Sequence, residues 1–367
     1  MTKRNSSLEL LRLLCVYGIY VMHTFGPFRQ SGIMANYIFG LVENSVFNMS
    51  STLFMLISGY FGLFRPKDVD KFRANKLIKI WLLVIFYGFL NYFLYLNKYW
   101  GTLDFPMELR SIVQIIFPIS TNSWWFMTSY VIILCFARYI ERAIRSLSKQ
   151  DYEKVVCILF FFFYISPTFL GIEILDDRGK GIINMFTVYL IGRYISIYET
   201  DDIDRIKLIK LVISCITVEI ILNHLCSVVI KNGVLTTPFA RDNSIFVLGG
   251  AIAVFILFKK KSFLSISINK LSTCCFGAIL FEEGAQIILE HFVKIETYSS
   301  ENGFWSMVLG FAFLKMCIGI FVEAVRKVTI SRCFETSLCD FIYGSMNSMR
   351  MLMAKRIDTF LGFFINH

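Results

Sequence analysis

Long apolar stretches alternate with short polar segments along most of the chain. Each stretch holds about 15–24 residues, and a helix needs about 20 residues to cross the hydrocarbon core of a bilayer. Helices are expected because no water is present there to satisfy backbone amides. The stretches lie at residues 8–25, 42–63, 77–97, 121–140, 155–172, 182–198, 207–230, 244–258, 271–291 and 303–325. The pattern predicts an all-α, polytopic membrane bundle of about ten transmembrane helices.

Basic residues are unevenly distributed among the segments that join these stretches. If the N-terminus is cytoplasmic, the cytoplasmic segments hold 27 Lys and Arg residues and the opposite loops hold 8. Because basic residues are retained on the cytoplasmic side, this asymmetry predicts that both termini are cytoplasmic. The transmembrane domain is then residues 1–326, and residues 327–367 form a cytoplasmic amphipathic tail.

The composition is that of a membrane protein. Apolar residues make up 56% of the 367 residues and charged residues 17%, against about 25% charge in soluble domains. The formal net charge of +10 follows from the cytoplasmic segments, so we expect membrane lipids and no nucleic acid as partners. The ten cysteines are scattered without metal-ligand spacing, and we expect neither a metal site nor a disulfide framework.

Three ionisable residues share one face of the first apolar stretch. Arg12 and His23 are eleven positions apart, which at roughly 100° per residue returns the second to within about 20° of the first. Glu9 lies near the same stripe. A cation in hydrocarbon costs at least about 2.5–3.5 kcal/mol unless it is paired or hydrated, so the stripe predicts an interior polar cavity. Alternatively, Arg12 reaches the cytoplasmic interface with Glu9 as its partner, and His23 lies among the lipid headgroups.

The end of the second stretch and the basic segment after it suggest two further roles. Ser58 and the glycine after it permit close helix packing, which is the stronger interpretation of the Ser-Gly-Tyr sequence ending at Tyr60. Residues 65–76 are densely basic and include Arg73 and Lys76. Contact with anionic lipid explains most of this charge, and a docking surface for a phosphorylated cytoplasmic cofactor is the alternative.

Together these features resemble the acyltransferase family 3 of integral membrane acyltransferases. The spacing of Arg12 and His23 is similar to the family's first-helix pattern of arginine, ten residues and histidine. Residues 54–61 resemble its apolar run ending in Ser-Gly-Tyr/Phe. Arg73 and Lys76 stand where the family carries Arg-x-x-Arg. Lysine in place of the second arginine keeps the charge and loses the two-pronged donor.

Two further segments bear on the resemblance. The sequence Trp124-Trp125-Phe126 is similar to the family's opening of its fourth span, and an aromatic belt at the membrane interface also explains it. In the ninth stretch many relatives carry a histidine near the position where this chain has Glu282 or Glu283. A carboxylate there could orient or charge-balance a histidine, or the position could be structural.

The resemblance implies a multi-pass O-acyltransferase of the bacterial inner membrane. It would move an acyl group, acetyl above all, from cytoplasmic acyl-CoA to a sugar hydroxyl of an envelope or lipid-linked polysaccharide, without a metal. His23 would be the general base, and Arg12, positioned by Glu9, would hold an anionic or carbonyl part of the donor. The resemblance places cofactor contacts at Arg73, Lys76, Ser58 and Tyr60, with Trp125 and Glu282 as further candidates.

Two other interpretations of the sequence stand beside this one. A transporter or flippase of a lipid-linked saccharide also accounts for the apolar stretches and the buried charges, and a structural subunit of an envelope complex is the third. Four more polar residues within apolar stretches are predicted to be interfacial or internally paired rather than catalytic: Glu219, His224, Lys315 and Glu323.

Overall fold

A computed structural model of the chain describes residues 5–63, 70–98, 105–122, 124–198, 203–231, 233–301, 303–335, 337–349 and 353. Over these residues the chain forms helices joined by turns and loops, and no strand is present among them. The prediction of an all-α protein is therefore confirmed.

The helices follow one another with mostly short connections. In order they are α1 (Ser6–Phe25), α2 (Met34–Phe47), α3 (Met49–Phe61), α4 (Asp70–Lys98), α5 (Phe105–Ile116), α6 (Trp125–Ser146), α7 (Lys149–Phe160), α8 (Ile182–Tyr198), α9 (Arg205–Val229), α10 (Ile245–Lys260), α11 (Ile266–Ser272), α12 (Cys275–Leu280), α13 (Glu282–Glu290) and α14 (Phe304–Arg326). α7 continues as a π-helix over Phe161–Leu170, and α14 continues as one over Lys327–Glu335. In the predicted tail, residues 337–349 are also helical, whereas 350–352 and 354–367 lie outside the described residues.

Five helical segments are long and apolar enough to cross a membrane: Ser6–Phe28, Ala74–Lys98, Lys149–Leu170, Arg205–Val229 and Phe304–Ser331. A sixth is present if the bent pair Ile266–Leu280 and Glu282–Glu290 forms one span. The described part of the chain thus has five to six membrane-capable helices. The count of ten and the orientation stay predictions.

The predicted ninth span, 271–291, is not one straight helix. The segment that ends at Leu280 and α13, which begins at Glu282, meet at an angle of 78°. Asn91 of α4 satisfies the backbone on both sides of the break. Its amide donates to the Leu280 carbonyl at 2.8 Å, and its oxygen accepts from the Gly284 amide at 3.2 Å. The chain can therefore turn inside the bundle without leaving these two backbone groups unsatisfied.

α3 and α8 pack with their backbones in direct contact. A Cβ on Gly59 would lie 2.3 Å from the Tyr189 carbonyl oxygen, and a Cβ on Gly192 would lie 2.5 Å from the Leu56 carbonyl oxygen. Only glycine fits at such a crossing, which agrees with the packing interpretation of the Ser-Gly pair.

α1 lies inside the bundle, against α2, α3, α10, α11, α12 and α14. Its N-terminus is capped by Asn5, whose side-chain oxygen accepts from the Ser7 amide at 3.0 Å. Because α1 is surrounded by other helices, the polar side chains at its two ends meet protein partners.

Candidate active site

A cavity of about 540 Å³ lies where α1 ends and where α3, α6 and α13 begin. Its aromatic lining residues are Phe47, Phe54, Trp124, Trp125, Phe126 and Phe276. Its polar lining residues are His23, Asn48, Ser50, Ser51, Lys180, Asp242, Glu282, Glu283 and Gln286. A concave wall that combines aromatic side chains with polar groups is typical of a small-ligand site.

His23, in the last turn of α1, pairs with Glu282 in the wall of this cavity. The His23 Nδ1 atom lies 2.5 Å from the Glu282 carboxylate oxygen Oε2. The His23 side chain is 61% exposed and that of Glu282 is 9% exposed, so the imidazole is accessible and the carboxylate stands behind it. When the carboxylate accepts from Nδ1–H, the basic lone pair of the neutral imidazole is on Nε2. The pair has the chemistry of a general base with an orienting carboxylate.

Lys315 of α14 lies behind Glu282 and pairs with it. Its ammonium is fully buried and donates to Glu282 Oε1 at 3.1 Å, to Gln286 Oε1 at 3.0 Å and to Thr24 Oγ1 at 3.3 Å. It also lies 5.4 Å from the centre of the Tyr20 ring. A buried ammonium is tolerated only when it is paired, and here it compensates the charge of the carboxylate that holds His23.

Arg12 and Glu9 pair with each other at the opposite end of α1. Arg12 Nη1 lies 3.0 Å from Glu9 Oε2, and the Ser272 hydroxyl donates to the same oxygen at 2.7 Å. The guanidinium also stands 5.7 Å from the centre of the Phe61 ring. Arg12 is not among the described residues that line the cavity, and eleven residues of helix separate it from His23 by about 16 Å along the axis. The structure therefore brings His23 together with Glu282 and Trp125, and it holds Glu9 and Arg12 apart from them.

Of the other residues predicted to contact acyl-CoA, Ser58, Tyr60 and Lys76 are not among the described residues that line the cavity. The Ser58 hydroxyl donates to the Phe54 carbonyl at 2.9 Å, within its own helix. The Tyr60 ring packs 5.4 Å from the Phe255 ring. Lys76 is half-buried on α4, and the side chain of Arg73 lies outside the described residues.

A second polar group, which sequence reasoning missed, also lines the cavity. The Ser51 hydroxyl of α3 donates to the Asp242 carboxylate in the loop before α10, and Lys180 lines the cavity beside them. Burial raises the pKa of Asp242 to about 6, and the hydrogen bond from Ser51 and the positive charge of Lys180 oppose that rise. A single carboxylate in a loop has no periodic signal in the sequence, so only the fold reveals its position.

Of the four remaining polar residues, Lys315 and Glu323 are internally paired, which is one of the two predicted alternatives. Lys315 is internally paired as described, and Glu323 bonds Arg326 at 2.7 Å. His224 is exposed and bonds the Tyr37 hydroxyl at 2.9 Å, whereas Glu219 is buried. Among the described residues, no three His, Cys, Asp or Glu side chains are grouped so that they could hold a metal ion.

One of the comparisons with known proteins gives a match. The family described as "Acyltransferase domain", acyltransferase family 3, matches residues 5–323. The searches of curated proteins and of solved structures gave no match. The family match runs from α1 into α14 and includes His23, Glu282 and Lys315.

Proposed function

Because the chain belongs to acyltransferase family 3 and is thus a membrane acyltransferase, we propose that it moves an acetyl group from acyl-CoA to a sugar hydroxyl. The acceptor is a lipid-linked or cell-envelope polysaccharide, and the protein is a multi-pass component of a bacterial inner membrane. The single observation that supports this most is the His23–Glu282 pair at the wall of a ligand-sized cavity.

His23 acts as the general base in this proposal. Its Nε2 takes the proton from the acceptor hydroxyl while the hydroxyl oxygen attacks the thioester carbonyl carbon of acetyl-CoA. The carbon–sulfur bond breaks, and the departing CoA thiolate takes the proton from the imidazolium. The products are the O-acetyl ester and CoA, and His23 returns to its neutral state.

Glu282 and Lys315 are positioning residues. Glu282 fixes the Nδ1–H tautomer through the 2.5 Å contact and stabilises the imidazolium that forms during transfer. Lys315 holds the carboxylate from the other side at 3.1 Å, so that Glu282 keeps one orientation. A fixed pair of this kind avoids reorganisation when charge develops.

The donor approaches from the other end of α1. Arg12, held by Glu9, meets an anionic part of acyl-CoA rather than the thioester carbonyl, which reacts about 16 Å away at His23. Further contacts at the cytoplasmic face come from Arg73, Lys76, Ser58 and Tyr60. With both termini cytoplasmic and about ten spans, the basic residues face the CoA pool and His23 lies towards the outside. The acyl arm then passes into the bundle along α1 to meet the acceptor.

His23→Ala is expected to lower acyl transfer by at least about 10²-fold, the usual contribution of a general base. The assay incubates purified protein with radiolabelled acetyl-CoA and lipid-linked saccharides and counts acetylated saccharide. His224→Ala is the matched control, because His224 is an exposed histidine bonded to Tyr37, and it should retain full transfer.

Acyl transfer by the His23→Ala protein at the wild-type rate would remove His23 from the mechanism.

In cells, a deletion strain should export its surface glycan without the O-acetyl mass. Loss of export with acetylation intact would instead identify a carrier of lipid-linked saccharide.

A further inference from the structure

We propose that the part of the cavity wall formed by the Trp124 and Trp125 indoles and the Asp242 carboxylate is an acceptor subsite for a non-anionic sugar ring. This inference rests on the proposed function and names the class of sugar that the site accepts. His23 and Asp242 line the same cavity, so one sugar acceptor can contact both residues.

The aromatic lining suits one face of a sugar. Trp124 and Trp125 are adjacent at the start of α6, and both line the cavity. An indole carries partial negative charge on its face, which attracts the positively polarised C–H groups of a pyranose ring. The cavity volume of about 540 Å³ falls within the range of about 300–1,000 Å³ that holds small ligands.

Asp242 supplies the polar recognition. Its Oδ1 accepts the Ser51 hydroxyl, and a carboxylate has further acceptor sites for ligand hydroxyls. Hydrogen bonds to an ionised acceptor are shorter and stronger than those between neutral groups. A sugar hydroxyl can donate a hydrogen bond to the Asp242 carboxylate, whereas an alkyl chain has no hydrogen-bond donor.

The loops that carry this wall are fixed to each other before any ligand binds. The Asn184 amide donates to the Gly179 carbonyl at 2.8 Å and to the Asp242 carbonyl at 3.2 Å. Gly179 has a φ of +79°, and a Cβ there would lie 2.3 Å from the Asn243 nitrogen. Glycine is required both by the dihedral angle and by the close approach. A wall held in this way loses little freedom on binding, which favours affinity for a small neutral ligand.

The charges in the cavity disfavour acidic sugars. Three carboxylates line it, from Asp242, Glu282 and Glu283. Lys315 compensates the charge of Glu282 from behind, which leaves the Asp242 and Glu283 carboxylates against the Lys180 ammonium and the His23 imidazole. A uronic acid or a phosphorylated sugar would place another negative charge among these carboxylates. Like-charge repulsion in a partly desolvated cavity is an effective means of rejecting a ligand.

Binding is tested on the full chain in lipid nanodiscs without acyl-CoA, by tryptophan fluorescence. The three probes share one alkyl tail and are used below their micelle concentrations: octyl β-D-glucopyranoside, octyl β-D-glucuronide and octyl tetraethylene glycol ether. The glucoside is expected to bind at least 10-fold more tightly than the other two. Equal binding of the ether would show that the cavity takes an alkyl tail, and equal or tighter binding of the glucuronide would show that it does not reject charge. Either result overturns the proposal.

Asp242→Asn tests the residue itself and is expected to weaken glucoside binding at least 10-fold. It should fold at least as well as the wild type, because it removes a buried charge. The matched control is Asp176→Asn, an exposed carboxylate in the neighbouring loop whose φ of +46° suits asparagine. Unchanged glucoside affinity in Asp242→Asn would overturn the subsite.

The two proposals fail in different ways. If glucoside binds as expected and no acetyl transfer occurs in the wild type, the subsite stands and the proposed reaction fails. If transfer occurs and Asp242→Asn changes neither glucoside binding nor the acceptor KM, the reaction stands and the subsite fails.

Discussion

At the scale of single residues, the candidate site is a chain of charges that runs from the cavity into the core. His23 is the exposed member, Glu282 stands behind it and Lys315 is fully buried. The sequence identified His23 and Glu282 as candidates and predicted that Lys315 is interfacial or internally paired. A carboxylate that orients a histidine was one of two interpretations of the Glu282 position, and the sequence could not choose between them. His23 and Glu282 are 259 positions apart and meet only when the segment around α12 packs against α1.

Glu282→Gln is expected to lower kcat by about 10²-fold, since the amide keeps the size of the side chain and loses the charge that stabilises the imidazolium. Binding of acyl-CoA should not change. Glu282→Asp should recover part of the activity because it restores the charge that pairs with His23 and Lys315, whereas a purely steric role would give no such recovery.

The matched control for this substitution is Glu290→Gln, on the same helix. Glu290 pairs with Lys98 at 2.5 Å, near the far end of α13. The control should retain normal kcat. An equal loss in Glu282→Gln and Glu290→Gln would mean that α13 tolerates no change of charge, and the specific role of Glu282 would be abandoned.

At the scale of elements, a local sequence motif predicted one helix contact, whereas a helix break depends on a residue far away in the sequence. The Ser-Gly pair predicted close packing, and Gly59 does contact the backbone of α8. The break between α12 and α13 was not predicted, because the side chain that satisfies it, Asn91, lies 189 positions before Leu280. A local apolar pattern predicts that a helix can form. It does not show that a distant side chain will satisfy the backbone groups at a break in that helix.

Gly59→Ala is expected to destabilise the protein by about 1–3 kcal/mol, the cost of overpacking a close contact. The added Cβ would lie 2.3 Å from the Tyr189 carbonyl oxygen, which is backbone and cannot move aside cheaply. Thermal unfolding in detergent measures the change.

Gly310→Ala on α14 is the matched control, because a Cβ there meets nothing within 4 Å. Alanine favours a helix by about 1 kcal/mol over glycine, so this variant should be as stable as the wild type or slightly more so. A Gly59→Ala protein as stable as Gly310→Ala would show that the α3–α8 crossing can relax.

At the scale of the whole molecule, the two ends of α1 carry different chemistry. The Arg12–Glu9 pair lies at one end, and the cavity with His23 lies at the other. Under the predicted orientation the first end faces the cytoplasm, where acyl-CoA is found, and the second faces outwards, where an envelope glycan is found. The orientation is thus the property on which the direction of acyl transfer depends.

Alkaline phosphatase fusions test that orientation, because this enzyme is active only outside the cytoplasm. Fusions after residues 235 and 298 are expected to be active, and fusions after residues 203 and 262 are expected to be inactive. The distribution of 27 against 8 basic residues is the physical reason. The reverse pattern would place His23 on the cytoplasmic side and would require the donor and acceptor ends to be exchanged.

The sequence by itself determined the class of protein, its helical nature and the polar stripe on α1. These follow from local rules, since apolar length and helical periodicity act over about 20 neighbouring residues. Tertiary structure alone decided that Glu282 holds His23 and is itself held by Lys315, and that α13 restarts after a bend of 78°. It also decided that Ser51 meets Asp242 across 191 positions. Such contacts depend on which helices pack side by side, and the local pattern of residues along the chain does not show which helices are neighbours.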